Sequence, residues 1–393
     1  MPSRMKIENR ELRIDQICLF PKAPLRKFPI RCTFLGEMVS KAMVKLRIAA
    51  VGIVICLLLA TFAPLRGQGP APAISDTAFW EMITGFSEEG GTFRYENLLS
   101  NETSYQRIIP SLKRVVRGDA YIGVGPEQNF TYIAAIEPKI SFILDIRRQN
   151  MLELLMYKGL FELSNDRIDF VARLFSRQRP EGLNADSSPQ ELFQSYSAEA
   201  CNRQLLDHTL HKVIDRLTVR HRFSLTEDDR KTIQHVLESF CTAGPQIDYG
   251  FVNAPSTLTA PSYAELMAAT DGRGQNWSYL ADEETFGRIR DMQLSNLIVP
   301  LVGDFAGKKT IRSVGQYLKM RKLTVSTFYI SNVEQYLDAA QKVAFRSNVG
   351  TLPITRSSRL VRFTPPESTT MSPLSLLVLE SNSLFHLLSS GNR

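Results

Sequence analysis

Residues 120–150, AYIGVGPEQNFTYIAAIEPKISFILDIRRQN, hold two short apolar runs with a glycine turn and a helix-length segment between them. Residues 120–124 and 140–144 are rich in strand formers. Gly123 and Gly125 permit a tight turn close to a ligand. Pro126 suits a first helical turn, where its missing N–H costs no hydrogen bond. The order is therefore strand, turn, helix, strand. Strands joined through a helix pair in parallel, because parallel neighbours need a crossover of a dozen or more residues.

The same alternation resumes far downstream. Residues 297–302, LIVPLV, read as a strand, followed by a turn over 303–307 and a helix over 308–322. A strand over 324–330 comes next, and residues 331–335 open another helix. Between the two halves, residues 149–163 predict an amphipathic helix with Leu152, Leu155, Met156, Leu160 and Leu163 on one face. Residues 164–243 show only helical periodicity, with stripes such as Leu206, Leu210 and Val213, and Ile233, Val236 and Leu237. Residues 246–276 are loop-rich, with one short helix over 263–269. A helix over 101–110, capped by Ser100, is expected ahead of the first strand. The expected fold class is α/β, a mostly parallel sheet flanked by helices. It occupies 79–363, and a large helical insertion over 164–296 covers the sheet or forms a lid. Residues 364–393 form a Pro/Ser-rich tail in which 373–388 adds a late strand or helix. No internal repeat is present.

The formal charge of +7 comes entirely from the first 47 residues, which carry 11 Lys/Arg and 4 Asp/Glu, 11 − 4 = +7. The remaining residues hold 47 − 11 = 36 basic and 40 − 4 = 36 acidic side chains. A neutral body argues against nucleic-acid binding, which needs a basic footprint of its own. Residues 48–63, IAAVGIVICLLLATFA, are uncharged and follow Lys41, Lys45 and Arg47. This run of 16 residues is short for a spanning helix and matches the apolar centre of a signal peptide. The basic flank keeps the N-terminus in the cytoplasm and sends the rest outward. The chain is thus expected to be exported, periplasmic or extracytoplasmic, or else held at the cytoplasmic membrane by 48–63 as a transmembrane anchor. Residues 1–47 form a basic leader, and a true start at Met38 or Met43 would give an ordinary signal peptide. A Pro/Gly/Ala-rich linker over 64–78 follows. Cys201 and Cys241 read as two buried thiols, and the chain has no CxxC spacing for a metal.

Ligands of open parallel sheets sit beyond the carboxyl ends of the strands, where the winding reverses. That address gathers Glu127, Gln128 and Asn129 after the first strand, and Asp145, Arg147 and Arg148 after the second. Asp304 follows the third, and Asn332 and Glu334 the fourth. Asp145 lies 22 residues after Gly123, near the roughly 20 that separate a glycine turn from a ribose-binding acid in dinucleotide folds. Glu127 opposes a pyrophosphate at that helix end and suits a zwitterionic or cationic ligand better. The loop Gly303-Asp304-Phe305-Ala306-Gly307-Lys308-Lys309-Thr310 has three residues between its glycines where a phosphate-binding loop has four. It carries no ATP site. His208, His211 and Asp215 share a helical neighbourhood without the further ligands a metal needs, so no metal is expected.

The glycine turn, helix and strand ending in Asp145 resemble the cofactor half of class I, S-adenosylmethionine-dependent methyltransferases, a Rossmann-type fold. The resemblance implies S-adenosylmethionine as cofactor, with Gly123 and Gly125 approaching its methionine part and Asp145 on the ribose hydroxyls. It also implies that Asp304 is the catalytic, substrate-facing acid. The usual acid-x-Gly-x-Gly-x-Gly turn is altered here, with Tyr121 in place of the acid and Glu127 in place of the last glycine. The blocks GVGPEQNF, DIRRQN, NLIVPLVGDFAG and SNVEQYL also resemble an uncharacterised family of bacterial proteins, over most of 79–363. Two functions are compatible with these residues: a methyltransferase-like enzyme that binds a small nucleoside-like ligand at the carboxyl ends of the strands, or a non-catalytic, degenerate module that binds a ligand or partner.

Overall fold

The structure is a computed structural model that describes residues 72–251, 260–362 and 382–383. All described residues belong to one compact unit within Pro70–Arg393. The leader 1–47, the apolar run 48–63, most of the linker and most of the tail lie outside the described residues. No helix among the described residues is long and apolar enough to cross a membrane.

The elements run α1 (Asp76–Phe86), a 3-10 turn (Tyr105–Ile108), α2 (Ile109–Val115), β1 (Ala120–Val124), α3 (Gln128–Ile136) and β2 (Ile140–Asp145). The long helix α4 (Arg148–Leu163) leads into the insertion, α5 (Arg167–Leu174), α6 (Pro189–Ser197), α7 (Arg203–Asp215), α8 (Glu227–Ala243), α9 (Tyr263–Ala268) and α10 (Glu283–Leu294). The sheet then resumes with β3 (Ile298–Val302), α11 (Thr310–Met320), β4 (Val325–Ser331), α12 (Ala339–Val349), β5 (Ile354–Arg362) and β6 (Asn382–Ser383). The strand order is β3-β2-β1-β4-β5-β6. Five strands are parallel, and β6 adds an antiparallel edge to β5. The winding reverses between β1 and β4, where the chain leaves β3 at one edge and crosses over to the far side of β1. This Rossmann-type order fulfils the α/β expectation.

Register fixes what meets at the strand ends: Gly123 lies beside Ile143, and Asp145 beside Val302. The helices sort onto two faces. α4 packs on β2 and β3, whereas α1 packs on β3 and also touches α11, which packs against α12. Every residue from Asn150 to Glu162 in α4 is buried, so it is enclosed on all sides rather than amphipathic. The reason is the insertion: α5, α7, α8 and α10 pack on α4 and leave it no solvent face. The insertion therefore builds a second helical layer over α4 and α3 rather than a cover on the sheet itself.

Capping chemistry marks the helix starts. Thr226 and Asp229 bond reciprocally at α8, as do Ser188 and Glu191 at α6 and Asp338 and Gln341 at α12. The helix expected over 101–110 starts later instead. Ser100 accepts a bond from the Glu102 N–H within a turn, and regular helix begins at Ile109. Likewise 331–335 makes only one 3-10 turn before α12. Cys201 and Cys241 form a disulfide, which corrects the expectation of two free thiols. Cys201 lies just before the start of α7 and Cys241 near the end of α8, so the bridge ties the two halves of the insertion.

Candidate ligand-binding cleft

At the carboxyl ends of β1 to β4 lies a cleft of about 340 Å³. Its floor comes from all four strand-following turns: Gly125 and Pro126, Asp145 to Arg147, Asp304 and Phe305, and Ser331 to Val333. Its outer wall comes from 92–102, with Tyr249 from the insertion and Tyr336 beyond β4. The wall is anchored to the sheet, because Glu88 N–H donates to Val302 O and Gly91 N–H to Ile146 O. Aromatic rings dominate this side. Phe93 meets Tyr336 edge-on at 5.0 Å, and Arg94 lies over the rings of Tyr95 and Tyr336. A concave, largely apolar site with a few converging polar groups is the usual form of a small-molecule pocket.

The two glycines do different work. Gly125 has φ +81°, and a Cβ there would enter open space at the cleft. Gly123 does not line the cleft. A Cβ on it would fall 1.9 Å from Asn129 Oδ1, so it is glycine to make room for that side chain. Asn129 is buried and organises the turn, donating from Nδ2 to the carbonyls of Val124, Gly125 and Pro126 and accepting from the Tyr121 hydroxyl. Tyr121, standing where the methyltransferase pattern has an acid, is thus an internal partner of the turn. Asn129-Phe130-Thr131 has the spacing of an N-glycosylation acceptor, but all three residues are buried.

Asp145 lines the cleft with both oxygens engaged. The Arg147 backbone N–H and Nε donate to Oδ1 at 2.9 Å each, and Nη2 donates to Oδ2 at 2.8 Å. A carboxylate has about four acceptor positions, so Oδ2 retains one for a ligand. Asp304 also lines the cleft, and its Oδ1 accepts from Ala306 N–H in a local turn. Asn332 reaches the cleft, with its Nδ2 donating to the Tyr336 hydroxyl at 3.4 Å. Glu334 does not line it and pairs with Arg362 at 3.2 Å. Glu127 and Gln128 are buried beneath the floor.

Sequence reasoning missed Glu102. It is buried at the cleft wall, where Gln128 Nε2 donates to its Oε2 at 2.8 Å and the Ser331 hydroxyl to its Oε1 at 2.6 Å. Burial pushes its carboxyl above the ordinary range, against the bonds from Gln128 and Ser331. Ser331 sits at φ +50°, a left-handed conformation unusual for a residue with a Cβ. Gln128 also donates to the Tyr329 hydroxyl. A desolvated acid beside a phenol and a serine is placed to accept or release a proton. No motif announces it, since its partners lie 26 and 229 residues away.

The loop before α11 is filled from within. Glu88 Oε1 accepts the Thr310 N–H, and a Cβ on Gly307 would strike the Glu88 carboxylate. The chain's own acid holds the helix end that an anion would need. His211 is exposed and pairs with Asp215 at 3.1 Å. Among the described residues no group of three or more His, Cys, Asp or Glu is placed to hold a metal.

Residues 98–390 match a family described as a domain of unknown function, DUF7790. The chain belongs to this family. The match takes in the floor of the cleft and Glu102, whereas Thr92, Phe93 and Asn97 of the outer wall precede it. No curated protein matches the chain.

Proposed function

We propose that the cleft binds a small, nucleoside-like molecule at the carboxyl ends of the strands. The observation that carries this reading is the convergence of four strand-following turns at the β1/β4 reversal, the usual ligand address of such sheets. A base ring would lie among Phe93, Tyr249 and Tyr336. A ribose hydroxyl would donate to the remaining acceptor position on Asp145 Oδ2. Methyltransferase-like chemistry with S-adenosylmethionine is the enzymatic form of this proposal. In it Asp304 faces the acceptor, and Glu102 is the group suited to move a proton.

Two observations favour the non-catalytic form. The position of Gly123 is taken up by Asn129, and the Asp145 carboxylate is largely occupied by Arg147. The Cys201–Cys241 disulfide supports an exported protein, because disulfides persist in oxidising compartments, away from a cytoplasmic cofactor.

A thermal-shift screen with S-adenosylmethionine, S-adenosylhomocysteine, adenosine and NADP tests the reading. Binding at a hundredfold excess over Kd adds about 2.7 kcal/mol of stability. A shift with adenosine-containing ligands supports a nucleoside site, and an added preference for the sulfonium supports the enzyme. No shift with any of them contradicts the proposal.

A further inference from the structure

Beneath the cleft floor lies a second polar group of residues that the ligand reading does not use. Phe130 of α3 and Tyr157 of α4 meet edge-on at 5.5 Å. One turn back along each helix stand Glu127 and Glu153, both fully buried. Asn150 precedes Glu153 by three residues, on the same face of α4. Both oxygens of Glu127, both oxygens of Glu153, and the oxygen and nitrogen of Asn150 make no hydrogen bond to any described group. Burial raises the Glu127 pKa, and the backbone N–H groups of Glu127 and Ser100 only partly offset it. Burial raises the Glu153 carboxyl and the Glu127 charge adds to that rise, which puts the two acids within electrostatic reach of one another. These six buried polar atoms without partners, together with the unpartnered Tyr157 hydroxyl and Arg147 Nη1, call for an occupant, since the large majority of buried side-chain polar atoms are satisfied in folded proteins.

Charge and donor chemistry specify that occupant. Arg147 bonds Asp145 through Nε and Nη2, its Nη1 makes no bond, and its charge also acts on Glu153, so one guanidinium stands against three carboxyls and two of them remain in excess. The amino ends of α3 and α4 both begin here, and each contributes about half a positive charge. About one positive charge is therefore still needed. The unpartnered acceptors are five oxygens, four carboxylate and one amide, which suit a group with several N–H donors or a weakly hydrated monovalent ion. Two carboxylates alone are too few for a strongly bound divalent metal, which takes six or more oxygens.

We propose that Glu127, Glu153 and Asn150 form a buried site for one ammonium-sized cation, either a free ion or the amino group of a molecule entering through the cleft. The site does not depend on whether the cleft takes a nucleoside. Its test uses simple cations alone, so its failure and that of the cleft reading are distinguishable.

The experiment takes the purified full chain in tetramethylammonium buffer, a bulky cation without N–H donors, and adds ammonium, methylammonium, potassium or rubidium at constant ionic strength. A saturable rise in Tm of about 2–4 °C is expected. Glu153→Gln and Glu127→Gln should each abolish it. Crystals grown with rubidium should show an anomalous peak between the two carboxyls, a readout on the unaltered chain that survives if a variant fails to fold. If the free ions are silent and methylammonium alone acts, the amino-group source is supported. Equal Tm in all these salts together with an absent rubidium peak would overturn the proposal and leave a pair of protonated acids.

Discussion

Arg147 grips both carboxylate oxygens of Asp145 on the floor of the cleft, with the guanidinium and the carboxylate both buried. The acid at the end of β2 is thus half of an ion pair before any ligand arrives. Removing one partner leaves an uncompensated buried charge, so Arg147→Met should cost about 3–5 kcal/mol. Arg147→Lys keeps the charge but cannot span both oxygens, and should cost less. The double replacement Asp145→Leu with Arg147→Met should recover most of the loss. Urea denaturation of the three variants checks the order.

The glycine turn gives a paired prediction. Asn129→Ala deletes three donated bonds and one accepted bond, and should destabilise by about 1–3 kcal/mol through the carbonyls it leaves buried. Gly123→Ala should be at least as damaging, because its Cβ would collide with the Asn129 side chain. Gly125→Ala has space but keeps φ at +81°, which costs about 1–2 kcal/mol. Gly125→Ala alone should perturb ligand affinity without severe unfolding. Thermal denaturation paired with ligand titration separates these effects.

The fold was legible because β1 to α3 to β2 and β3 to α11 to β4 are local patterns. Each strand is a short apolar run, and each turn is a cluster of Gly, Asp or Asn. Gly125, Asp145, Asp304 and Asn332 reached the cleft for the same reason: each follows a strand directly. Gly123 and Glu127 were not distinguishable by spacing from true cleft residues, since only packing shows that Asn129 fills one position and that the floor buries the other. Glu102 was hidden because its environment is made by long-range partners. The even burial of α4 was hidden as well, because a leucine stripe says nothing about what covers the opposite face.

Glu127 gives a pH dependence with a definite sign. Burial pushes its carboxyl up to about 8 from an ordinary 4.5, and Glu153 moves in the same direction. Between those values the folded state holds protons that the unfolded state has released. Stability therefore falls as pH rises from about 4.5 to about 8, by up to 1.4 kcal/mol per pH unit per group. Glu127→Gln should flatten that slope. Urea midpoints measured across this range in tetramethylammonium buffer check it, and ammonium should reduce the slope by favouring the ionised form.

The Cys201–Cys241 bridge closes a loop with a sequence separation of 40 residues. Its removal by Cys201→Ser with Cys241→Ser should lower stability by about 2–4 kcal/mol. Dithiothreitol should shift the Tm of the unaltered chain and leave the double variant unmoved.

The most direct test of the central claim is hydrogen exchange of the full chain, followed by mass spectrometry, with and without saturating S-adenosylhomocysteine or adenosine. Saturable protection should appear in peptides covering 92–102, 124–129, 145–149 and 331–341, the walls and floor of the cleft. The helical insertion, apart from the peptide holding Tyr249, should be unaffected. Unchanged exchange at every one of these segments, or protection confined to another part of the molecule, would contradict a nucleoside site at the strand ends.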